Sequence, residues 1–432
     1  MKRIILALTI CVIFGGKMFA DGTTNAPILS LAEAQAVALR NHPQIAAANY
    51  RARAAEEVVK ETRAGYFPTA NLYANAVGAG SDNTRIMAGG LNNPSVYDRA
   101  AGGLAVSQLI TDFGHTANLT ASSRFQAQAE NQNANVTREQ VWLQVDTGYF
   151  DALQAQAVLK VAQLTLDTRQ LLLDQVTALA TNKLRSELDV SFAQVALEQG
   201  RLLLQKAQND ADAAMASLST ALGYHEFHQF QLVEQSLPMD AVTNDVSPLI
   251  QTALARRPEL LSLQNQRDAA LRFARSERDA RLPTVSAIGV AGDSPTHDDR
   301  LPDNYVAGGV QLSLPLFAGG LYTARQHEAE LKAQADDELL RASEDIVIRD
   351  VRIAWLNVNN ALEQLRTTEQ LVKHAAEAYD LAEARYKTGI SSIVELSQAQ
   401  LSLTSAQIAN TNARYDVLIQ EANLNYQIGA LR

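Results

Sequence analysis

Few residues of this chain stand in patterns that perform chemistry. His225-Glu226-Phe227-His228 is the one histidine pair with metal-like spacing. It has no convincing third ligand, so a solvated loop is expected there and not a metal site. The single cysteine, Cys11, excludes a disulfide scaffold and any cysteine-cluster zinc site. No Ser/His/Asp set, phosphate-binding loop or dinucleotide fingerprint rises above chance, so neither an enzyme nor a cofactor is expected. What remains is a pair of acids. Glu395 ends Ser392-Ile393-Val394-Glu395, a capping box in which a serine and an acid three residues on close the start of a helix. Asp189 ends Ser186-Glu187-Leu188-Asp189, an approximate version of the same box.

The elements that would position these acids begin with the composition. Of 432 residues, 47% are hydrophobic but only 6% aromatic, and 11 are proline. That profile suits long Ala/Leu/Gln helices better than an aromatic-rich core. The net charge of −10 argues against a nucleic-acid partner. A mean hydropathy of −0.12 excludes a polytopic helical membrane protein. At the start, Lys2 and Arg3 precede an apolar run from Ile4 to Phe14, and the stretch ends at Ala20. Residues 1–20 therefore read as a secretory signal, too short for a membrane helix of ~20 apolar residues. An exported chain without such a helix can enter a membrane only as β-structure.

The acids are repeat mates, 206 residues apart. The same offset pairs Ala101-Gly102-Gly103 with Ala307-Gly308-Gly309, Tyr149 with Trp355, and Gly223 with Gly429. Upstream the offset becomes 215, pairing Pro43 with Pro258 and Pro68 with Pro283. The chain is thus two copies of one unit, residues 29–224 and 247–431, joined by a linker at 225–246.

Each unit reads as a helix, two strands and a long helical pair. The first helix opens on the Ser30/Glu33 capping box and runs toward Gly65. Strands are expected at 69–77, where Ala70, Leu72, Ala74 and Ala76 alternate with polar residues and Tyr73, and at 103–109. Their mates are 284–292 and 306–314. Residues 78–100 and 292–304 read as polar loops. Long helices are expected at 114–180 and 188–222, and again at 320–386 and 393–428. Val145, Ala152, Leu159, Leu166 and Leu173 are seven apart, as are Val351, Val358, Leu365, Val372 and Tyr379. The return helix adds a small seam of Ala193, Gly200, Ala207, Ala214 and Ala221. Large and small seams together let helices approach closely and supercoil left-handed.

Four strands cannot close a membrane barrel, whose usual minimum is eight, and an open edge in lipid is forbidden. Three copies would supply twelve. The helices, joined directly to the strands, would then form a coaxial hollow wall. A periplasmic adaptor and a secreted filament-forming coiled coil are the alternatives. The ungapped duplication opposes the first and the alternating strands oppose the second. Tyr66, Phe67, Tyr73 and Tyr97 suit either an aromatic belt at a membrane interface or packing at the strand–helix junction.

Two stretches carry a family resemblance: Ser313-Leu314-Pro315-Leu316-Phe317-Ala318-Gly319-Gly320, and Ala384-Arg385-Tyr386-Lys387-Thr388-Gly389-Ile390 followed by Glu395-Leu396-Ser397-Gln398-Ala399-Gln400. With the duplication, they make the chain resemble the TolC family of outer-membrane efflux and secretion channels. The resemblance implies a mainly α fold with a membrane β-barrel: a homotrimer whose 12-strand barrel in outer-membrane lipid is continuous with a periplasmic α-helical barrel. It implies a passive exit duct that docks onto a periplasmic adaptor and an inner-membrane transporter of the RND, ABC or MFS class. Thr388, Gly389 and Ile390 resemble the tip that adaptors contact. Asn182, Lys183 and Leu184 stand at the other tip, with Lys183 where glycine is expected and Asn182 able to adopt the left-handed conformation. Glu395 and Gln398 resemble lumen-facing gate positions, and Asp189 and Tyr386 resemble members of a closing network. Ser391 stands where some members have a pairing arginine. For the two acids, gate and helix cap are compatible roles.

Overall fold

The computed structural model describes residues 27–78, 84–88, 91–96, 99–234, 245–296 and 302–430. The expected signal at 1–20 and Tyr97 lie outside the described residues. In chain order the first copy contains β1 (Ile28–Leu29), α1 (Leu31–Asn41), α2 (Pro43–Ala64), β2 (Thr69–Val77), β3 (Thr84–Ala88), β4 (Leu91–Val96), β5 (Arg99–Thr111), α3 (His115–Thr181) and α4 (Glu187–Ala221). The linker carries β6 (Gln231–Leu232). The second copy contains α5 (Ser247–Arg256), α6 (Pro258–Asp279), β7 (Thr284–Thr296), β8 (Asn304–Ser313), α7 (Leu321–Lys387) and α8 (Ile393–Gln427).

The first helix does not run unbroken toward Gly65. Ser30 and Glu33 close its start as a full capping box, but the helix stops at Asn41 and restarts at Pro43. A residue before proline is driven out of the helical region, and His42 takes φ −70°, ψ 122°. Arg257 before Pro258 does the same at φ −60°, ψ 121°. Each break receives the far end of its own copy. Gly223 (φ +82°) lies so close that a Cβ would meet the Asn41 and His42 backbone at 3.0 Å. Gly429 lies against Arg256 and Arg257 at the matching place but less tightly, with a Cβ 3.4 Å from their backbone. The repeated prolines and glycines are therefore one joint, made twice.

The strands form one antiparallel sheet in the order β2-β5-β7-β8. Three of them exceed their expected bounds. Residues 293–296 pair onward in β7, and 99–102 in β5. The expected loop at 78–100 holds the hairpin β3–β4, with Ala88 opposite Leu91. The register assigns the faces, because paired residues share one. Leu72 pairs Leu104, which pairs Ala291, which pairs Val306. That face is apolar and bare, with Leu72 81% and Val306 86% exposed. The opposite face carries Thr69, Asn71, Asn75, Ser107, Ser286 and Gln311. There the Tyr305 ring lies over Gly103 and Gly292, where any Cβ would collide with it.

From the sheet, α3 and α7 each run 67 residues, about 100 Å at the helical rise. Asp112 caps α3, accepting from Thr116 N at 2.8 Å and Gly114 N at 3.2 Å. The shorter α4 and α8 return alongside them. At the waist, Val145, Tyr149, Phe150, Leu218 and Tyr415 join one core. The Tyr149 hydroxyl there accepts from Val233 N at 3.0 Å and donates to the Leu29 carbonyl at 2.9 Å, holding the parallel pair β1–β6. The small seam of α4 houses Arg169, whose Nη1 donates to the Ala196 carbonyl at 2.7 Å. Gly200 leaves room for it, since a Cβ would stand 3.2 Å from Arg169 Cδ. No helix among the described residues is long and apolar enough to cross a membrane.

Candidate functional site

The candidate residues gather at the turns between the long helices, at the end away from the sheet. Both turns follow one scheme. After α7, Gly389 N donates to the Tyr386 carbonyl at 3.0 Å and Ile390 N to the Arg385 carbonyl at 2.9 Å. After α3, Lys183 N donates to the Ala180 carbonyl and Leu184 N to the Leu179 carbonyl, both at 2.9 Å. These are Schellman caps, which demand a left-handed residue at the position of Gly389 and Lys183. Gly389 takes φ +78° and Lys183 φ +60°. Asn182, a residue able to adopt the left-handed conformation, instead sits one position earlier at φ −87° and caps Ala178 with its amide at 2.8 Å. Each cap leaves an apolar residue outside: Leu184 and Ile390 are both 70% exposed. Thr388 Oγ1 turns back onto the Ala384 carbonyl at 3.1 Å.

Of the two capping boxes, the one read as approximate is the complete one. Ser186 and Asp189 form the complete capping box, with Asp189 N donating to Ser186 Oγ and Ser186 N to Asp189 Oδ2, both at 3.2 Å. Glu395 donates its N–H to Ser392 Oγ at 3.3 Å, but its carboxylate turns to Arg385, with Oε1 at 3.2 Å from Nε. A charged donor within reach outcompetes a backbone N–H. Gln398 is exposed one turn further along α8.

Tyr386 is buried with Val176, Ala193, Ala382, Ile393 and Leu396, so all four long helices meet around it. Its hydroxyl finds no partner among the described residues. Burial raises the phenol pKa, the nearby Arg185 opposes the rise and Asp189 adds to it. Ser391 is also buried, and its Oγ has no partner among the described residues. The sequence reading missed Arg185, which spans from the first turn to Tyr386 of the second copy. Its partner lies 201 residues away, and no local pattern announces such a contact. The histidine pair stands apart from the tips. The His228 ring stacks on Tyr224 with centroids 4.4 Å apart, and His228 Nδ1 lies 2.8 Å from the Glu226 carbonyl. Of the proposed aromatic belt, Tyr66, Phe67 and Tyr73 are exposed near the sheet.

Comparison with known proteins bears on the whole chain. The family described as outer membrane efflux protein matches residues 36–224 and 249–430. The outer membrane protein TolC of Escherichia coli (strain K12) is 25% identical over 393 residues, covering 88% of this chain and 78% of its own length. The alkaline protease secretion protein AprF of Pseudomonas aeruginosa is 24% identical over 425 residues, covering 93% and 85%. Among solved structures, CusC, described in terms of transmembrane channel formation, has a TM-score of 0.79 at 19% identity, covering 96% of this chain and 95% of that one. These matches leave the adaptor and coiled-coil alternatives without support. They are to transport proteins of the outer membrane, not to enzymes. The chain belongs to the outer membrane efflux protein family, as an outer-membrane channel of an efflux or type I secretion system with a long periplasmic helical extension.

Proposed function

We propose that three copies of the chain assemble into a passive exit duct, a 12-strand barrel in outer-membrane lipid continuous with a periplasmic helical tube. The observation that carries this reading is the sheet. It is antiparallel, apolar on one face, and ends in β2 and β8, which have no further partner in the described chain. Unpaired edges are untenable in lipid, and closure with other copies removes them. In this assembly the segments 78–100 and 292–304 face the cell exterior, because long loops of such barrels do.

The tips then lie deep in the periplasm. Thr388, Gly389 and Ile390, together with Asn182, Lys183 and Leu184, form the docking surface for a periplasmic adaptor. The adaptor links the duct to an inner-membrane RND, ABC or MFS transporter, which supplies the energy. Asp189, Glu395, Gln398 and Tyr386 line or hold the periplasmic gate. Charged rings set pore selectivity, so Asp189 and Glu395 favour cations. The ion pair with Arg385 makes Glu395 the weaker contributor.

Native mass measurement of detergent-extracted protein should give a trimer, and a stable membrane-inserted monomer would overturn the assembly. In planar bilayers, Asp189→Asn with Glu395→Gln should lower cation preference and divalent block. Wild-type selectivity in the double variant would remove the acids from the gate.

A further inference from the structure

The polar face of the sheet carries one row of tyrosines and glycines across all four strands. Tyr73 pairs Gly103, which pairs Gly292, which pairs Tyr305, so the four side positions share one face. Asn71 and Asn75 lie on the same face of β2, opposite to Leu72. In a barrel whose apolar face meets lipid, this row lines the lumen, and Tyr73 does not join a lipid-facing belt. The row lies near the loop end of the sheet, since Tyr305 is the second residue of β8.

The Tyr305 ring lies flat on the wall. A Cβ added to Gly292 would collide with the ring, and one added to Gly103, a strand further on, would collide with its hydroxyl. The ring therefore crosses two strands against their backbone and turns its other face to the lumen. Tyr305 is 40% exposed and Tyr73, at the far end of the row, is 62% exposed. Ile288 and Val290, both exposed, continue the same face along β7. With strands about 4.8 Å apart, the row is about 14 Å wide. Covering glycines accounts for the seat of Tyr305. It does not account for Tyr73, or for the open face of either ring. The row is also made once per chain: the repeat mates of Tyr73, Gly103, Gly292 and Tyr305 are Ile288, Gly309, Val77 and Arg99.

A flat aromatic surface that faces water suits a planar ring, and the negative centre of each tyrosine face suits a cation. The surroundings agree in sign. The segment 292–304, which follows directly on Gly292, holds Asp293, Asp298, Asp299 and Asp303 against the single Arg300. We infer that this row is a binding site for planar aromatic cations on the lumen wall near the outer mouth, where a bound molecule narrows the exit. The inference rests on the barrel reading above, which puts this face inside.

The test uses ethidium as the probe, with fluorescence anisotropy on the detergent-extracted trimer and current block in planar bilayers. Tetrapropylammonium, a cation without a ring, and a naphthalene sulfonate, a ring without the cation, serve as comparisons. Ethidium should bind and block, and both comparison ions should do so at least about fivefold more weakly. Tyr305→Leu keeps an apolar cover over Gly292 but removes the ring, and should weaken ethidium about fivefold at unchanged trimer mass. Tyr305→Phe keeps the ring face and should bind as wild type. Tyr73→Leu should weaken binding by itself, and the double Tyr73→Leu, Tyr305→Leu variant should weaken it further than either. Should Tyr305→Leu fail to assemble, Tyr73→Leu is read in its place. Wild-type affinity in the double variant, or in Tyr73→Leu where it stands alone, would overturn the site. So would equal block by tetrapropylammonium, or a loss in Tyr305→Phe as large as in Tyr305→Leu. Trimers that conduct but bind no ethidium would overturn the platform and leave the duct standing. A sheet face that proves to meet lipid, with Tyr73→Cys labelled only by a membrane-soluble thiol reagent, would overturn the barrel reading and the site together.

Discussion

Lys183 and Gly389 occupy the same position of two Schellman caps, and only one of them is a glycine. A left-handed conformation costs a residue with a Cβ about 1–2 kcal/mol, so Lys183 at φ +60° stores strain that Gly389 at φ +78° does not. Lys183→Gly should stabilise the first hairpin by about 1 kcal/mol, and Gly389→Ala should cost the second about the same, since nothing lies within 4 Å of its added Cβ. Calorimetric melting of the two variants checks both signs. If Lys183 is retained for docking, Lys183→Gly should also weaken crosslinking to the adaptor while the protein melts higher. A second residue-scale expectation concerns Asp146. It is 5% exposed, and burial raises its pKa to about 6, only partly offset by the Gln35 amide at 2.6 Å. The folded chain thus holds this proton more tightly than the unfolded chain, whose value is near 3.8. Asp146 therefore costs stability above about pH 6, and that cost is relieved as pH falls from about 6 to about 4. Asp146→Asn keeps an acceptor for Gln35 and loses the charge. It should melt higher at pH 7.5, by an amount on the order of 2–3 kcal/mol, and should flatten this part of the pH profile. An unchanged melting curve at pH 7.5 would count against the buried charge.

At the scale of elements, legibility followed locality. The alternation of Ala70, Leu72, Ala74 and Ala76 is a local signal, and β2 spans Thr69–Val77. The absence of proline from 114 to 180 is equally local, and α3 is one helix. Where the pattern was decided by a partner, the sequence was mute. Asp293-Ser294-Pro295 looks like loop, yet Asp293 pairs both Asn304 and Gly102, so neighbours on both sides extend β7. The pair β3 and β4 lies inside a segment whose richness in Gly, Asn and Asp reads as loop, and only their mutual pairing makes them strands. The break at His42 was legible in principle, since Pro43 forbids helical backbone before it. The joint it makes with Gly223 was not, because the two meet only after α3 and α4 have run out and back. That joint yields a prediction at its own scale. Gly223→Ala combines a disfavoured φ of +82° with a Cβ at 3.0 Å from the Asn41 and His42 backbone. It should cost more than the ~1 kcal/mol expected of an uncrowded left-handed glycine, and should increase hydrogen exchange in α1. A cost no greater than that of Gly389→Ala would mean that the joint yields freely.

At the scale of the whole molecule, the duplication dictates how copies should meet. Within the chain, β5 of the first unit pairs β7 of the second, with Leu104 opposite Ala291 and Gln108 opposite Ala287. The repeat mate of β5 is β8 at an offset of 206, and the mate of β7 is β2 at an offset of 215. If successive units repeat around a closed ring, β8 must pair β2 of the next copy in the corresponding register. That places Val310 opposite Ala76 and Gln311 opposite Asn75 of the neighbour. The faces agree: Val310 lies on the apolar side with Ala76, and Gln311 on the polar side with Asn75. A one-residue slip would turn every side chain of the edge strand to the wrong medium, so the register is strongly specified. Adjacent antiparallel pairs alternate between Cα separations of about 4.5 and 5.5 Å, and both lie within disulfide range. In a Cys11→Ser background, the pairs Val310→Cys with Ala76→Cys and Gln311→Cys with Asn75→Cys should therefore oxidise to covalent trimers on non-reducing gels. Gln311→Cys with Asn71→Cys, displaced by four residues or about 13 Å along the strand, should remain monomeric under the same conditions. Crosslinking of the displaced pair in preference to the two aligned ones would show that the ring does not continue the internal repeat, and that the barrel closes through a different seam.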